Sequence, residues 1–129
     1  MSRFRDPQVV LFSTDVERSA AFYARLGFVE TFRVPTEGAP IHVDLRLDGY
    51  TLGIASVAST RDDHGLAPVE QGQRAAVVVW TDDVPAALAE LGAVVLTEPH
   101  EWLGRLLIAW VADPDGQPVQ IVQDLSRVG

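Results

Sequence analysis

An internal repeat restricts the possible folds of this chain more strongly than any other feature of its sequence. The segment LDGYTLGI at 47–54 resembles PDGQPVQI at 114–121, and the two aspartates, Asp48 and Asp115, lie 67 residues apart (115 − 48 = 67). The glycines that follow them and the final isoleucines align at the same offset. A repeat of this length indicates two copies of one supersecondary unit, neither of which can bury its apolar face alone. We therefore predict a fold built from a duplicated half.

The first copy has the pattern β-α-β-β-β. An apolar run suited to a buried strand lies at 8–13, and a helical pattern follows from Thr14 to Gly27. Thr14 and Glu17 have the spacing of a capping box, and Gly27 stands where a helix commonly ends. Three further strands are predicted at 28–34, 41–47 and 51–57.

The second copy repeats this order after a polar segment. Residues 58–73 are rich in turn formers and are predicted to form a connector. A strand at 74–80 follows, and then a helix with Pro85 in its first turn, where the missing N–H does no harm. The remaining strands are predicted at 93–98, 105–111 and 118–123. The predicted class is α+β, a single domain over 1–129 with two tandem βαβββ modules at about 8–57 and 74–125.

The composition excludes several classes of protein. The 129 residues suffice for one sizeable core, and 47% hydrophobic with 22% charged residues is typical of globular chains. The chain has no cysteine, which excludes disulfides and thiolate sites, and its formal charge of −8 argues against nucleic acid as a partner. It contains neither an apolar run of membrane-spanning length nor a signal-peptide pattern. We therefore expect a cytoplasmic protein that does not contact membranes.

Three segments carry a resemblance to a known family. They are TDVERSAAFYARLGF at 14–28, DGYTLGIAS at 48–56 and VADPDGQPVQIV at 111–122. In this order and spacing they resemble the vicinal oxygen chelate superfamily, which includes glyoxalase I, extradiol dioxygenases and bleomycin-resistance proteins. The resemblance implies that the paired modules curve into a cup-shaped mixed sheet flanked by helices. In metal-dependent members, four ligands on the floor of the cup hold the metal.

The resemblance places the four ligand positions at Gln8, Gly53, Ala76 and Gln120. Gly53 and Ala76 have no side-chain donor, and Gln8 and Gln120 offer only neutral amides. Divalent metals in proteins are usually bound by carboxylates, imidazoles or several carbonyls. We therefore expect neither a metal nor another cofactor at these positions.

Other catalytic arrangements are weakly represented in the sequence. His42, His64 and His100 do not form close metal-binding spacings, except that Glu98 lies near His100 at a predicted strand end. The serines show no recognisable base with an orienting group. We therefore assign no catalytic residue.

Side-chain alternation along the strands, combined with the positions that the resemblance implies, predicts which residues line the cup. Most have the same parity as the four ligand positions, and the resemblance adds the wall residues Leu106, Ile108 and Trp110. Trp102 is assigned to the connector before the 105–111 strand, at the rim. The predicted ligand-binding residues are Gln8, Val10, Phe12, His42, Asp44, Trp80, Trp102, Ile108, Trp110 and Gln120.

The three tryptophans, all in the second module, are the most informative members of this set. Flat aromatic faces bind planar or cationic groups by stacking and cation–π attraction, at about 0.5–2 kcal/mol each. Trp80 or Trp110 taken singly could instead fill a gap in the core. Their parity directs both away from the helix-packed face, which favours binding.

The central strand of the first module has two alternative orientations. Strict alternation places Val43 on one face and His42, Asp44 and Arg46 on the other. The 67-residue offset instead pairs Val43 with Trp110, which would direct the apolar residues into the cup. We prefer the alternation, because burying Asp44 and Arg46 against a helix is costly unless they are paired. Asp44 is then either the anionic contact for a basic ligand or part of an exposed strand face.

These observations lead to one preferred function and two alternatives. The preferred function is that of a metal-free protein of the bleomycin-resistance type, which sequesters a planar or cationic small molecule such as an antibiotic. The first alternative is a metal-dependent lyase, isomerase or dioxygenase of the same superfamily with a displaced metal site. The second is a partner-binding module whose cup is filled by its own side chains. A homodimer is expected, since the resemblance implies one and open strand edges favour pairing.

Overall fold

The computed structural model describes residue 3, residues 5–72 and residues 75–126. These residues form two compact units, divided between Glu70 and Gln71. The elements are β1 (Val9–Ser13), α1 (Val16–Arg25), β2 (Val29–Val34), β3 (His42–Leu47), β4 (Tyr50–Ser56), α2 (Val57–His64), β5 (Val77–Trp80), α3 (Val84–Leu91), β6 (Val94–Trp102), β7 (Leu106–Ala112) and β8 (Pro118–Asp124). The α+β class and the βαβββ order of each half are confirmed. Arg74, the first residue of the strand predicted at 74–80, lies outside the described residues.

Each unit contains one four-stranded mixed sheet, and the two sheets have the same topology. The strand order is β1-β4-β3-β2 in the first unit and β5-β8-β7-β6 in the second. In both units the first strand runs parallel to the last, and the other neighbours are antiparallel. The sequence repeat therefore corresponds to a repeat of strand connectivity. Among the described residues, no helix is long and apolar enough to cross a membrane.

Helix α1 covers one face of the first sheet. The hydroxyls of Ser13 on β1 and Ser19 on α1 lie 2.8 Å apart in the interior, which identifies the side of the sheet that the helix covers. Val43, Leu45 and Ile54 on β3 and β4 are fully or almost fully buried. Since alternate residues of a strand point to opposite faces, these side chains form the core under α1.

Helix α1 begins one residue later than its predicted capping box. Asp15, not Thr14, is the N-cap, and its side chain accepts a hydrogen bond from the N–H of Arg18. Asp15 and Thr14 are both common caps, so the sequence pattern could not choose between them. At the other end Leu26 is the C-cap, and Gly27 follows with a φ of 107°.

Residues 58–73 were predicted as a connector, but their first part is helical, as α2. Ser56 is the N-cap and accepts a hydrogen bond of 2.8 Å from the N–H of Ser59. Gly65 ends the helix in the left-handed conformation, with a φ of 70°. Val57 and Thr60 are buried and anchor the helix, which otherwise has a polar surface. Such a helix lacks the apolar periodicity by which sequence patterns identify helices.

The second unit is built in the same way around α3. Asp83 caps this helix and accepts from the N–H of Ala86. Gln123 on β8 accepts a 2.9 Å hydrogen bond from the N–H of Val84, so the odd-numbered residues of β8 face the helix. Val119 and Ile121 have the same parity and are buried.

The two β-hairpins that carry the repeat differ by one residue. Gly53 on β4 pairs with Asp44, a separation of nine residues (53 − 44 = 9). The equivalent Gln120 on β8 pairs with Trp110, a separation of ten (120 − 110 = 10). Asp44 is therefore the counterpart of Trp110, and the alternation correctly predicted its orientation. The pairing of Val43 with Trp110 by the 67-residue offset is wrong, because the shorter hairpin changes the register upstream of the turn.

A surface ion network joins α1 to strand β2. Both guanidinium Nη atoms of Arg33 donate to the carboxylate of Glu17, at 2.7 and 2.8 Å, and Arg33 also donates to Glu30. These hydrogen bonds lower the pKa of both glutamates and raise the pKa of Arg33. Bidentate geometry makes this network more specific than an ordinary surface ion pair.

Candidate functional site

The first unit has a face opposite α1 that carries its predicted site residues. Val10, Gly53 and Asp44 form one row across the sheet, and Phe12, Ala55 and His42 form the next. Directly paired residues project to the same side of a sheet. We call this surface the polar face. It consists of Gln8, Val10, Phe12, His42, Asp44, Gly53 and Ala55.

A hydrogen-bonded triad occupies the polar face. Gln8 Nε2 donates to Asp44 Oδ1 at 2.9 Å, and His42 Nε2 lies 2.7 Å from the same oxygen. The rings of Phe32 and His42 are in an inclined, edge-type contact, with 6.3 Å between ring centroids. The histidine and aspartate side chains are both partly buried. The structure thus brings three predicted residues, Gln8, His42 and Asp44, into direct contact.

Gly53 lies next to this triad, and a side chain at its position would require Gln8 to move. A Cβ atom added at this position would stand 2.7 Å from Gln8 Nε2, 3.1 Å from a methyl of Val10 and 3.3 Å from Asp44 Oδ1. The Gln8 amide therefore occupies the space that a side chain at position 53 would fill. This close approach, and not an unusual backbone conformation, accounts for the glycine.

The family metal positions do not fit a divalent transition metal in this chain. A liganding side chain at position 53 would displace Gln8, and the Gln8 amide is already directed at Asp44. Ala76 is exposed just before β5 and offers no donor. Across residues 5–72 and 75–126, no group of three or more His, Asp or Glu side chains could hold a metal ion. The donor chemistry that such a metal requires is therefore missing at these positions.

The second unit has an equivalent face opposite α3. Val78, Gln120 and Trp110 form one row across β5, β8 and β7. The adjacent row contains Trp80, Val122, Ile108 and His100. We call this surface the aromatic face. Trp80, for which alternation was used, therefore shares one face with Ile108, Trp110 and Gln120, which the resemblance had placed together.

A pocket of about 230 Å³ opens on the aromatic face. Its lining residues are His100, Trp102, Ile108, Trp110 and Gln120. The base is apolar, since Leu106, Ile108 and Val122 form a buried cluster against which Trp110 packs. Four of the ten predicted site residues thus meet in one cavity.

Trp102 reaches the pocket because strand β6 is longer and less regular than predicted. The strand predicted at 93–98 continues to Trp102, so this residue does not lie in a connector. Thr97 pairs with Trp110 and His100 with Ile108, which leaves one extra residue on β6 and marks a bulge. The bulge contains Pro99, which has no N–H to donate to a neighbouring strand.

His100 is a pocket residue that the sequence interpretation missed. A second register shift lies between Val95 and Thr97, and the two shifts together restore the alternation, so that Val94, His100 and Trp102 share the face of Trp110. Its Nδ1 lies 2.9 Å from the carbonyl oxygen of Glu98. Because a carbonyl only accepts, Nδ1 carries the hydrogen, and Nε2 of the neutral ring is a hydrogen-bond acceptor. The sequence interpretation missed His100 because it ended the strand at residue 98, directly before Pro99.

Trp80 lies on the aromatic face but does not line the pocket. It is 63% exposed at the end of β5 and pairs with Val122. It therefore does not fill a core gap, and it does not belong to the tryptophan pair that borders the cavity. Trp102 is also exposed, at 55%, so Trp80 differs from the two pocket tryptophans by its position and not by its exposure.

Several solved structures resemble this chain in fold. A glyoxalase-related enzyme from Fulvimarina pelagi is 23% identical, covers 94% of this chain and 89% of its own, and has a TM-score of 0.77. Hypothetical protein SA1046 from S. aureus is 20% identical over 95% of each chain, with a TM-score of 0.74. Lactoylglutathione lyase from Agrobacterium tumefaciens is 14% identical over 95% of this chain and 96% of its own, with a TM-score of 0.67. At these identities the similarity establishes the fold alone.

Sequence comparison identifies the family directly. No curated protein matches the sequence at a significant level. A family model, described as the glyoxalase/bleomycin resistance protein/dioxygenase superfamily, matches residues 7–121. This range contains the first two segments that carry the resemblance and all but the last residue of the third, and it includes strands β1 to β7 and the first part of β8. The chain belongs to the glyoxalase/bleomycin resistance protein/dioxygenase superfamily.

Proposed function

We propose that this protein binds and sequesters a planar or cationic small molecule without a metal, as in antibiotic resistance by sequestration. The observation that carries the proposal is the pocket formed by His100, Trp102, Ile108, Trp110 and Gln120. It combines two aromatic faces, an apolar base and two polar groups, as small-molecule sites commonly do.

The size and chemistry of the pocket favour one flat group of a ligand. Its volume of about 230 Å³ is below the roughly 300 Å³ at which pockets for whole drug-sized molecules begin. Stacking on Trp102 and Trp110 would hold an aromatic ring or a delocalised cation. The net charge of −8 raises the local concentration of cations around the protein.

Polar groups at the pocket would set the orientation of the ligand. Nε2 of neutral His100 accepts a hydrogen bond, and the amide of Gln120 can both donate and accept. A ligand that presents an N–H or O–H beside its ring would therefore bind more tightly than an unsubstituted ring. Sequestration requires such affinity but no reacting group, which is consistent with the donor-poor family metal positions.

Isothermal titration calorimetry with bleomycin and with the planar cation ethidium tests the proposal. Trp110→Ala should weaken the binding of a ligand by about tenfold, which corresponds to about 1.4 kcal/mol of lost stacking. Trp80→Ala is the matched control, because Trp80 lies on the same face outside the pocket, and its affinity should stay within about twofold.

Two results would contradict this assignment. If neither compound binds the folded wild-type protein, sequestration of such cations is wrong. If Trp80→Ala weakens binding as much as Trp110→Ala, the ligand lies on the open sheet and not in the pocket.

A metal-dependent lyase, isomerase or dioxygenase is the second candidate. The close contact of His42 and Asp44 favours it, because imidazole and carboxylate are both metal donors. Elemental analysis of purified protein before and after chelation separates the candidates. Stoichiometric zinc, nickel, iron or manganese, with turnover that disappears on chelation, would favour the enzyme.

We also propose that the protein forms a homodimer. Strand β2 is an edge strand with exposed Val29 and Phe32, and edge strand β6 exposes Val94 and Leu96. Open apolar edges of this kind are usually covered by another chain. Sedimentation equilibrium should give about twice the 14.0 kDa mass of the chain. A single species at the monomer mass at micromolar concentration would contradict this proposal.

A further inference from the structure

We infer that His42 on the polar face of the first unit is a metal-independent general base, oriented by Asp44 and Gln8. The residues of this site belong to the first unit and those of the aromatic pocket to the second, and the inference does not depend on the proposed sequestration. It would remove a proton from a small carbon acid, a compound whose C–H lies beside an electron-withdrawing group.

The hydrogen bond to Asp44 determines which imidazole nitrogen can act. An ionised carboxylate only accepts, so the nitrogen at 2.7 Å from Asp44 Oδ1, which is Nε2, carries the hydrogen of the neutral ring. Nδ1 then has the free lone pair, and it has no hydrogen-bond partner among the described residues. A base with one nitrogen anchored and the other available is the arrangement that general-base catalysis requires.

Asp44 supplies charge as well as orientation. When Nδ1 accepts a proton, the imidazolium that forms remains hydrogen-bonded to the Asp44 carboxylate, and the opposite charges stabilise each other. Partial burial of both side chains reduces the screening of this interaction by water.

Gln8 holds the carboxylate from the other side. Its amide donates to the same Oδ1 at 2.9 Å, and it lies above Gly53, where any larger residue would collide with it. Gln8 is thus a positioning residue, because it acts on His42 only through Asp44. Gly53 leaves the space in which the Gln8 amide reaches Asp44, and this third partner distinguishes the site from an ordinary surface pair of histidine and aspartate.

The probe reaction is the ring opening of 5-nitrobenzisoxazole, which requires only a base. His42 Nδ1 takes the proton from C3, the C–H electron pair forms the nitrile, and the N–O bond breaks to give a phenolate. The proton is later released from the imidazolium to solvent, so that no co-reactant is consumed. The coloured phenolate reports the rate directly.

We expect wild-type kcat/KM to exceed the second-order rate constant of free imidazole at the same pH by at least about tenfold. His42→Gln should lower kcat/KM by about a hundredfold, and Asp44→Asn, which retains an acceptor but removes the charge, by about tenfold. His64→Gln is the matched control, because His64 is exposed at the end of α2, and it should keep the wild-type rate.

The inference is overturned if the wild-type protein is no faster than imidazole, or if His42→Gln and His64→Gln have the same rate. A long-range ¹H–¹⁵N spectrum of the wild-type histidines provides a readout that does not depend on how the variants fold. It should show neutral His42 with the hydrogen on Nε2, and a hydrogen on Nδ1 instead would also overturn the inference. The base reaction is measured without bleomycin or ethidium, so that this experiment and the binding experiment fail independently.

Discussion

The replacement Gly53→Ala tests how tightly the polar face is packed. The added Cβ would lie 2.7 Å from Gln8 Nε2, about 0.7 Å closer than the 3.4 Å at which ordinary contacts begin. Backbone strain does not contribute, because Gly53 is not among the glycines with a positive φ. The flexible Gln8 side chain is the easiest group to move, so we expect its amide to swing away from Asp44.

The expected free-energy change follows from three contributions. Loss of the Gln8–Asp44 hydrogen bond destabilises the protein by about 0.5–1.5 kcal/mol. The lower entropy of alanine in the unfolded chain stabilises it by about 0.4–1 kcal/mol. The methyl of Val10 at 3.1 Å adds a further cost, since it is part of a paired strand. The net effect should be a modest destabilisation of about 1 kcal/mol or less.

A double-mutant cycle with Gln8→Ala separates these contributions. In the Gln8→Ala background there is no amide to displace, so Gly53→Ala should be less destabilising by about 1 kcal/mol. Urea unfolding followed by tryptophan fluorescence measures all four proteins. If the two substitutions are additive within about 0.3 kcal/mol, the proposed contact between Gln8 and position 53 is wrong.

Three further predictions concern other parts of the chain. Ser56→Ala should lower the free energy of unfolding by about 1 kcal/mol, because it removes the N-cap hydrogen bond of α2. Ser56→Thr keeps a capping hydroxyl and should keep the wild-type free energy of unfolding, and urea unfolding measures both variants. Leu103 has a φ of 58° in the turn after β6, a left-handed conformation that asparagine adopts more readily than leucine. Leu103→Asn should therefore raise the free energy of unfolding by about 0.5–1 kcal/mol, and an unchanged or lower value would contradict the left-handed turn. Arg33→Met should destabilise the protein at neutral pH. The pKa of Glu17 and Glu30 is lowered in the folded state, so their contribution is present above the ordinary value of 4.5 and is lost as pH falls through the lowered values. The stability difference between Arg33→Met and wild type should therefore become smaller in acid, as measured by thermal unfolding at several pH values. A stability difference that does not depend on pH would contradict the proposed role of Arg33.

Most of the fold could be predicted from local patterns in the sequence. The offset of the hairpins indicated a duplicated βαβββ unit, and alternation in β3 indicated that Val43 faces the helix while Asp44 faces away. These predictions succeeded because the alternation of side chains is a property of every extended strand and does not depend on neighbouring segments. The site residues Ile108, Trp110 and Gln120 were placed by the resemblance to the family, from their spacing to its motifs.

The predictions that were wrong concern features that depend on interactions between distant segments. Helix α2 is anchored by two buried residues and not by an apolar stripe, so its sequence resembles that of a loop. The bulge at Pro99 exists because β6 must keep its pairing with β7 on both sides of a residue that cannot donate. The predicted strand ended at residue 98, so the alternation was not followed from Val94 to His100 and Trp102, which lie on the pocket side.

The sequence by itself determined the duplicated architecture and the lack of metal-binding side chains at the family metal positions, since repeats and residue types are read directly from the chain. Only the tertiary structure decided which polar groups meet, because Gln8 and Asp44 are 36 residues apart and come together through strand pairing with β4. It also decided that Gly53 is matched to the Gln8 amide above it, a contact that neither residue reveals alone.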